Sequence, residues 1–215
     1  MPNGSVRENI SVYADGTQPS YRLTRRGELV TVDFVMQSIL DGHGFVTNQG
    51  SQDTVVDFSV TTYDLERPRF TLRIPSGRTV IPIELNVIPQ TEAGTLTKYV
   101  WSYSNNDVGA GTSTALTIRS LKPNSGFTSG CNAHSLYTGD YDTAVTNHQD
   151  FAKFIRAFTL SDGDPQDQLK LSIYTDPMPV LVGPATLILC QTATTTGATG
   201  YTVVKWLEFL TTEVS

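Results

Sequence analysis

Apolar residues recur mainly with period two along this chain, and Gly, Pro, Asn and Asp punctuate the runs. That is the pattern of half-buried β-strands. The cleanest case is 69–74: Phe70, Leu72 and Ile74 share one face, and Arg69, Thr71 and Arg73 the other. Pro75-Ser76-Gly77 then predicts a tight turn, where Pro sets φ and Gly tolerates positive φ. The return run 78–88 contains Pro82, which predicts either an edge strand or a bulge. In 97–104, Tyr99, Trp101 and Tyr103 fall on one face. Further strands are predicted at 20–25, 53–62, 113–119, 153–160, 168–174, 185–191 and 201–210. The run 29–40 fits two templates. Val30, Val32, Phe34 and Met36 alternate, while Leu29, Val32, Met36 and Ile39 suit a helix; the Val and Thr content favours a strand. Residues 121–150 have no strong period and read as a long excursion, a type of loop that is usually functional or an interaction surface.

The last two runs carry apolar residues on both faces. Ala185, Leu187 and Leu189 share one side, with Ile188 and Cys190 opposite. In the final run, Val203, Leu207 and Phe209 share a face interrupted by Lys205, and Val204, Trp206 and Leu210 lie opposite with Glu208. One face can fill a core. The other needs a covering segment of this chain or a neighbouring subunit, because contiguous exposed apolar patches are rare on soluble monomers. Ile188, Val204, Trp206 and Leu210 are therefore the expected interface residues.

The count is about ten strands with no convincing helix, no fixed repeat and no linker composition. This predicts an all-β fold: an antiparallel two-sheet jelly-roll sandwich of about 8–10 strands with few or no helices. An immunoglobulin-type domain is disfavoured, because the Cys…Trp…Cys signature is missing. Residues 1–19 are expected as an N-terminal arm or extension and 20–215 as a single sandwich domain.

Charge narrows the function. Only 17% of residues are charged, against roughly 25% in an ordinary domain. There are 30 threonines, which suit a pleated, half-buried surface. Net charge is −6, and the five lysines are Lys98, Lys122, Lys153, Lys170 and Lys205. Arg7, Arg22, Arg25 and Arg26 sit beside Glu8 and Asp15 and make no basic arm. Direct nucleic-acid binding is not expected. Cys131 and Cys190 form no C-x-x-C motif and read as two free, buried thiols. The start Met-Pro-Asn-Gly-Ser is polar, so no leader is expected, and no apolar stretch is long enough to predict a membrane helix.

Candidate chemistry is sparse. GFTSG at 126–130 has its serine one position late for a nucleophile elbow. Ser129 and Ser135 lie near His134, without the strand–turn–helix context that activates a serine. GAGTST at 109–114 lacks the lysine of a phosphate loop and reads as a turn. His43, His134 and His148 show no ligand spacing, although Asp140 or Asp142 could join His134 and His148 at zinc. In 161–167, Asp162, Asp164 and Asp167 surround Gly163. A plain Asp/Gly/Pro turn explains them; the sharper alternative is Ca²⁺ held at a subunit interface. No other cofactor and no catalytic residue is expected. The sequon Asn9-Ile-Ser11 is present, without a leader to bring it to glycosylation. The Tyr99, Trp101, Tyr103 ladder reads as core packing, with a sugar-stacking platform as the alternative.

The order of features resembles a viral single jelly-roll capsid protein. The resemblance rests on the strand pair joined by Pro75-Ser76-Gly77 with its Val/Ile/Pro return strand. It rests also on the long mid-chain excursion, and on the ending Gly183–Cys190, Gln191–Gly200, Tyr201–Leu210. It implies a non-enzymatic structural protein that self-assembles into a capsid or decorates one. It further implies partnership with copies of itself and other virion proteins, no membrane, assembly in the host cytoplasm and residence in the virion. Many such coats carry a basic N-terminal arm, and this chain departs from them there. The alternative reading is a carbohydrate-binding sandwich module or a fibre-head receptor-binding domain.

Overall fold

The computed structural model describes residues 33–57, 64–65, 67–91, 96–157, 169–193 and 199–214. The sequon, the first predicted strand at 20–25 and the Asp162, Asp164, Asp167 turn lie outside them. The elements belong to one compact unit, Phe34–Ser215.

In chain order the elements are α1 (Phe34–Leu40), β1 (Gly44–Gln49), β2 (Val56–Asp57), β3 (Phe70–Ile74), β4 (Arg78–Thr91) and β5 (Leu96–Ser104). There follow β6 (Thr114–Leu116), β7 (Ile118–Ser120), β8 (Asn132–Ser135), β9 (Gln149–Ala157) and β10 (Leu169–Ser172). The chain closes with β11 (Leu181–Val182), β12 (Ala185–Ala193) and β13 (Thr199–Leu210).

Two antiparallel sheets form. The seven-stranded one runs β10-β4-β13-β1-β7, with β11 beside β4 and β2 beside β13; the six-stranded one runs β6-β8-β3-β12-β5-β9. Setting aside β2, β6, β7, β8 and β11, the orders are β10-β4-β13-β1 and β3-β12-β5-β9. Among these eight strands every connection between successive members changes sheet, except β5 to β9. That alternation is jelly-roll winding, and the fold is the expected all-β sandwich.

The core follows from strand alternation. Phe70, Leu72, Ile74, Leu187 and Leu189 face Leu85, Val87, Val204 and Trp206 across the sandwich. Tyr99 and Trp101 are fully buried in the same cluster, so the aromatic ladder is core, and Tyr103 packs against it. Phe70 meets Trp101 edge-on, with centroids 6.2 Å apart. The predicted turn forms, with Arg78 N–H donating to Pro75 O and Gly77 at φ 81°. Pro82 takes the bulge alternative. β4 lies between β10 and β13, and its register against β13 slips where Lys205 opposes Glu84 and Trp206 opposes Pro82.

Two expectations are corrected. Residues 34–40 form a helix, not a strand. Val35 and Ile39 pack with Ile83, Leu207 and Phe209 on the outer side of the seven-stranded sheet, and this tertiary contact outweighs β propensity. The predicted strand 113–119 is divided at Thr117. β6 pairs with β8 in one sheet and β7 with β1 in the other, so the chain crosses the sandwich edge there. Thr47 Oγ1 donates to Thr117 O at 3.0 Å and pins the crossing.

Candidate functional site

The expected interface residues are mostly enclosed within one chain. Ile188, Val204 and Trp206 are fully buried and present no surface to a second copy; Leu210 is 45% exposed. The face of β13 holding Val204, Trp206 and Glu208 is the inner one, and Leu207 and Phe209 point outward beneath α1. On the six-stranded sheet the cover is the excursion between β5 and β9. Its Val108 and Tyr137 are buried. The Thr186 hydroxyl donates to Asn106 O at 2.8 Å and accepts from Val108 N–H at 3.4 Å. The Tyr137 and Thr71 hydroxyls share a hydrogen bond of 2.7 Å. Arg73, also on that outer face, donates twice to Asp107, at 2.5 and 2.8 Å. The guanidinium holds the Asp107 carboxyl below its ordinary value, aided by the Gly109 N–H.

The most concentrated buried polar group is Glu208, whose side chain is 1% exposed. It accepts from Ser129 Oγ at 2.5 Å and from Gly130 N–H at 2.8 Å, and Arg78 Nε stands 3.6 Å away. A Cβ on Gly130 would come within 2.9 Å of Arg78 Nε, so a larger residue there requires the Arg78 side chain to shift. Burial and then the Glu208 charge push the Cys131 thiol up. It stays protonated and is no thiolate nucleophile. This cluster fastens residues 129–131 to the end of β13. Sequence reasoning missed it, because a lone Glu among Trp206, Leu207 and Phe209 signals burial only once its distant partners are known.

His134 pairs with neither Ser129 nor Ser135. Its Nδ1 lies 3.0 Å from Ser113 Oγ, and that hydroxyl donates its proton to Ala110 O at 2.5 Å. The imidazole Nδ1–H is therefore the donor, and the serine is not deprotonated by it. Burial and then Arg73 lower the His134 pKa, so the ring is neutral near pH 7. A cavity of about 240 Å³ beside it is lined by Leu116, Ile118, Ser129, Cys131, Asn132 and His134, among others.

The carboxylates proposed for zinc are engaged separately. Asp140 accepts from Arg67 Nε at 2.9 Å, Asp142 from Gly111 N–H at 2.9 Å, and His148 Nε2 lies 3.0 Å from Asp150. Among the described residues no three His, Cys, Asp or Glu side chains converge to hold a metal. Cys131 and Cys190 are both free and buried. No described helix is long and apolar enough to cross a membrane. No known protein family, curated protein or solved structure matches this chain.

Proposed function

We propose that this chain is a structural virion protein that self-assembles into a capsid or decorates one, through contacts with copies of itself and other virion proteins. The observation that carries the reading is the jelly-roll strand order, β10-β4-β13-β1 over β3-β12-β5-β9, which agrees with the sequence resemblance. One fold hosts many functions, so the support is an analogy of architecture. Two further features favour it over a sugar-binding or receptor-binding module. The Tyr99 and Trp101 rings, the motive for a sugar platform, are buried in the core. Exposed apolar positions instead include Phe34, Met36, Leu40 and Phe127, each about half accessible.

The chain's net charge of −6 leaves direct genome contact outside this proposal. Any Ca²⁺ contribution would come from Asp162, Asp164 and Asp167. The test is light scattering and negative-stain microscopy of concentrated protein, with and without Ca²⁺ and candidate partner coat proteins. Shells, capsomers or discrete oligomers are the expected result. A strictly monomeric protein under all these conditions overturns the proposal.

A further inference from the structure

Three polar side chains occupy core positions that strand alternation reserves for apolar groups. Gln49 follows Phe45 and Thr47 on the inner side of β1, and its register partner on β13 is Thr202. Thr202 precedes Val204 and Trp206 on the inner side of β13. Gln191 follows Leu187 and Leu189 on the inner side of β12. It is near the end of β12 (Ala193), and Thr202 is near the start of β13 (Thr199). The topology thus sets Gln191 on one sheet at the level of Gln49 and Thr202 on the other. All three are at least 97% buried. Among the described residues, neither amide atom of Gln49, neither amide atom of Gln191 and not the Thr202 hydroxyl has a hydrogen-bond partner.

Buried polar groups in folded proteins are almost always satisfied. Five orphaned atoms together would cost a sum comparable with the whole net stability of a domain. A chain that folds cannot leave all of them bare. Their chemistry defines what satisfies them. Two amide carbonyls accept, two amide N–H₂ groups donate, one hydroxyl does either, and none carries charge. The match is a small neutral molecule with both donors and acceptors, and water is the smallest that supplies both.

We propose that this end of the sandwich interior is a hydration site, binding ordered water between Gln49 and Thr202 on one sheet and Gln191 on the other. It is independent of any assembly role. The test is the double variant Gln49→Met/Gln191→Met, which keeps side-chain length and removes every amide. If water is bound, the variant leaves it only the Thr202 hydroxyl as a partner, and Tm falls by about 3–8 °C. If the amides are dry orphans, the variant relieves them; an unchanged or higher Tm overturns the proposal. A high-resolution crystal structure of the unaltered chain supplies the second readout. Ordered waters about 2.7–3.2 Å from the two amides are expected. Amides paired directly with protein atoms, with no water between, overturn the proposal even where Tm falls.

Discussion

Both sheets of this sandwich have an outer side covered by the chain itself, and the two covers are held differently. Over the seven-stranded sheet, α1 lays Val35 and Ile39 on Ile83, Leu207 and Phe209. Those buried contacts are apolar. The Ser38 and Gln37 side chains bond within the segment, to Phe34 O and Asp41, and one side-chain bond reaches α1 from outside it, Lys122 Nζ donating to Leu40 O at 2.7 Å. Over the six-stranded sheet, the excursion is tied by side-chain hydrogen bonds at Thr71, Arg73 and Thr186. An apolar cover depends on area and tolerates small shifts. A hydrogen-bonded cover depends on geometry and fixes register. This difference shows also in what is left outside: α1 turns Phe34, Met36 and Leu40 to the surface.

The contrast can be broken most severely at Phe209. It is 8% exposed and stacks near Phe34 and His43, with centroids 6.1 and 4.8 Å away. Phe209→Ala removes the floor under α1 and is expected to cost about 3 kcal/mol in urea unfolding. A loss below about 1 kcal/mol would mean that α1 is not held by this contact.

A smaller effect is expected at the other cover. Tyr137→Phe keeps the ring and deletes the hydroxyl that meets fully buried Thr71. The expected cost is about 1–2 kcal/mol, with faster amide exchange between residues 105 and 147. Unchanged exchange there would sink the idea that the hydroxyl pair fastens the excursion.

The smallest effect is a matter of pH. Asp107 has its folded pKa depressed, chiefly by the Arg73 hydrogen bond. Its contribution is therefore complete above the ordinary aspartate pKa, about 4, and is lost as pH falls through the lower folded value. Asp107→Asn should flatten the decline of stability below about pH 4 and lower stability slightly at pH 7. An acid-unfolding curve that keeps the parent's slope would exclude this carboxyl from the linkage.

Local patterning was sufficient for much of the architecture. Period two placed β3, β5, β12 and β13, and Pro75-Ser76-Gly77 placed the turn between β3 and β4, since each signal depends on neighbours a few residues apart. The ladder of Tyr99 and Trp101 was legible as core for the same reason. Pro82 was legible only as a choice between edge and bulge, because the choice depends on whether another strand lies alongside.

The unread part has one cause. Alternation says that β13 has two apolar faces, and it cannot say which one meets the other sheet. That depended on α1, which ends at Leu40 while β13 begins at Thr199, and on the loop bearing Ser129 and Gly130, which reaches Glu208. The second apolar side of Leu207 and Phe209 is thus answered by a helix, in a run whose pattern fits both a helix and a strand. Helix or strand at 34–40 was close to balanced by propensity, and burial against β13 decided it. Strand identity is set by short-range sterics, whereas which face is sealed, and by what, is set by contacts between segments remote in sequence.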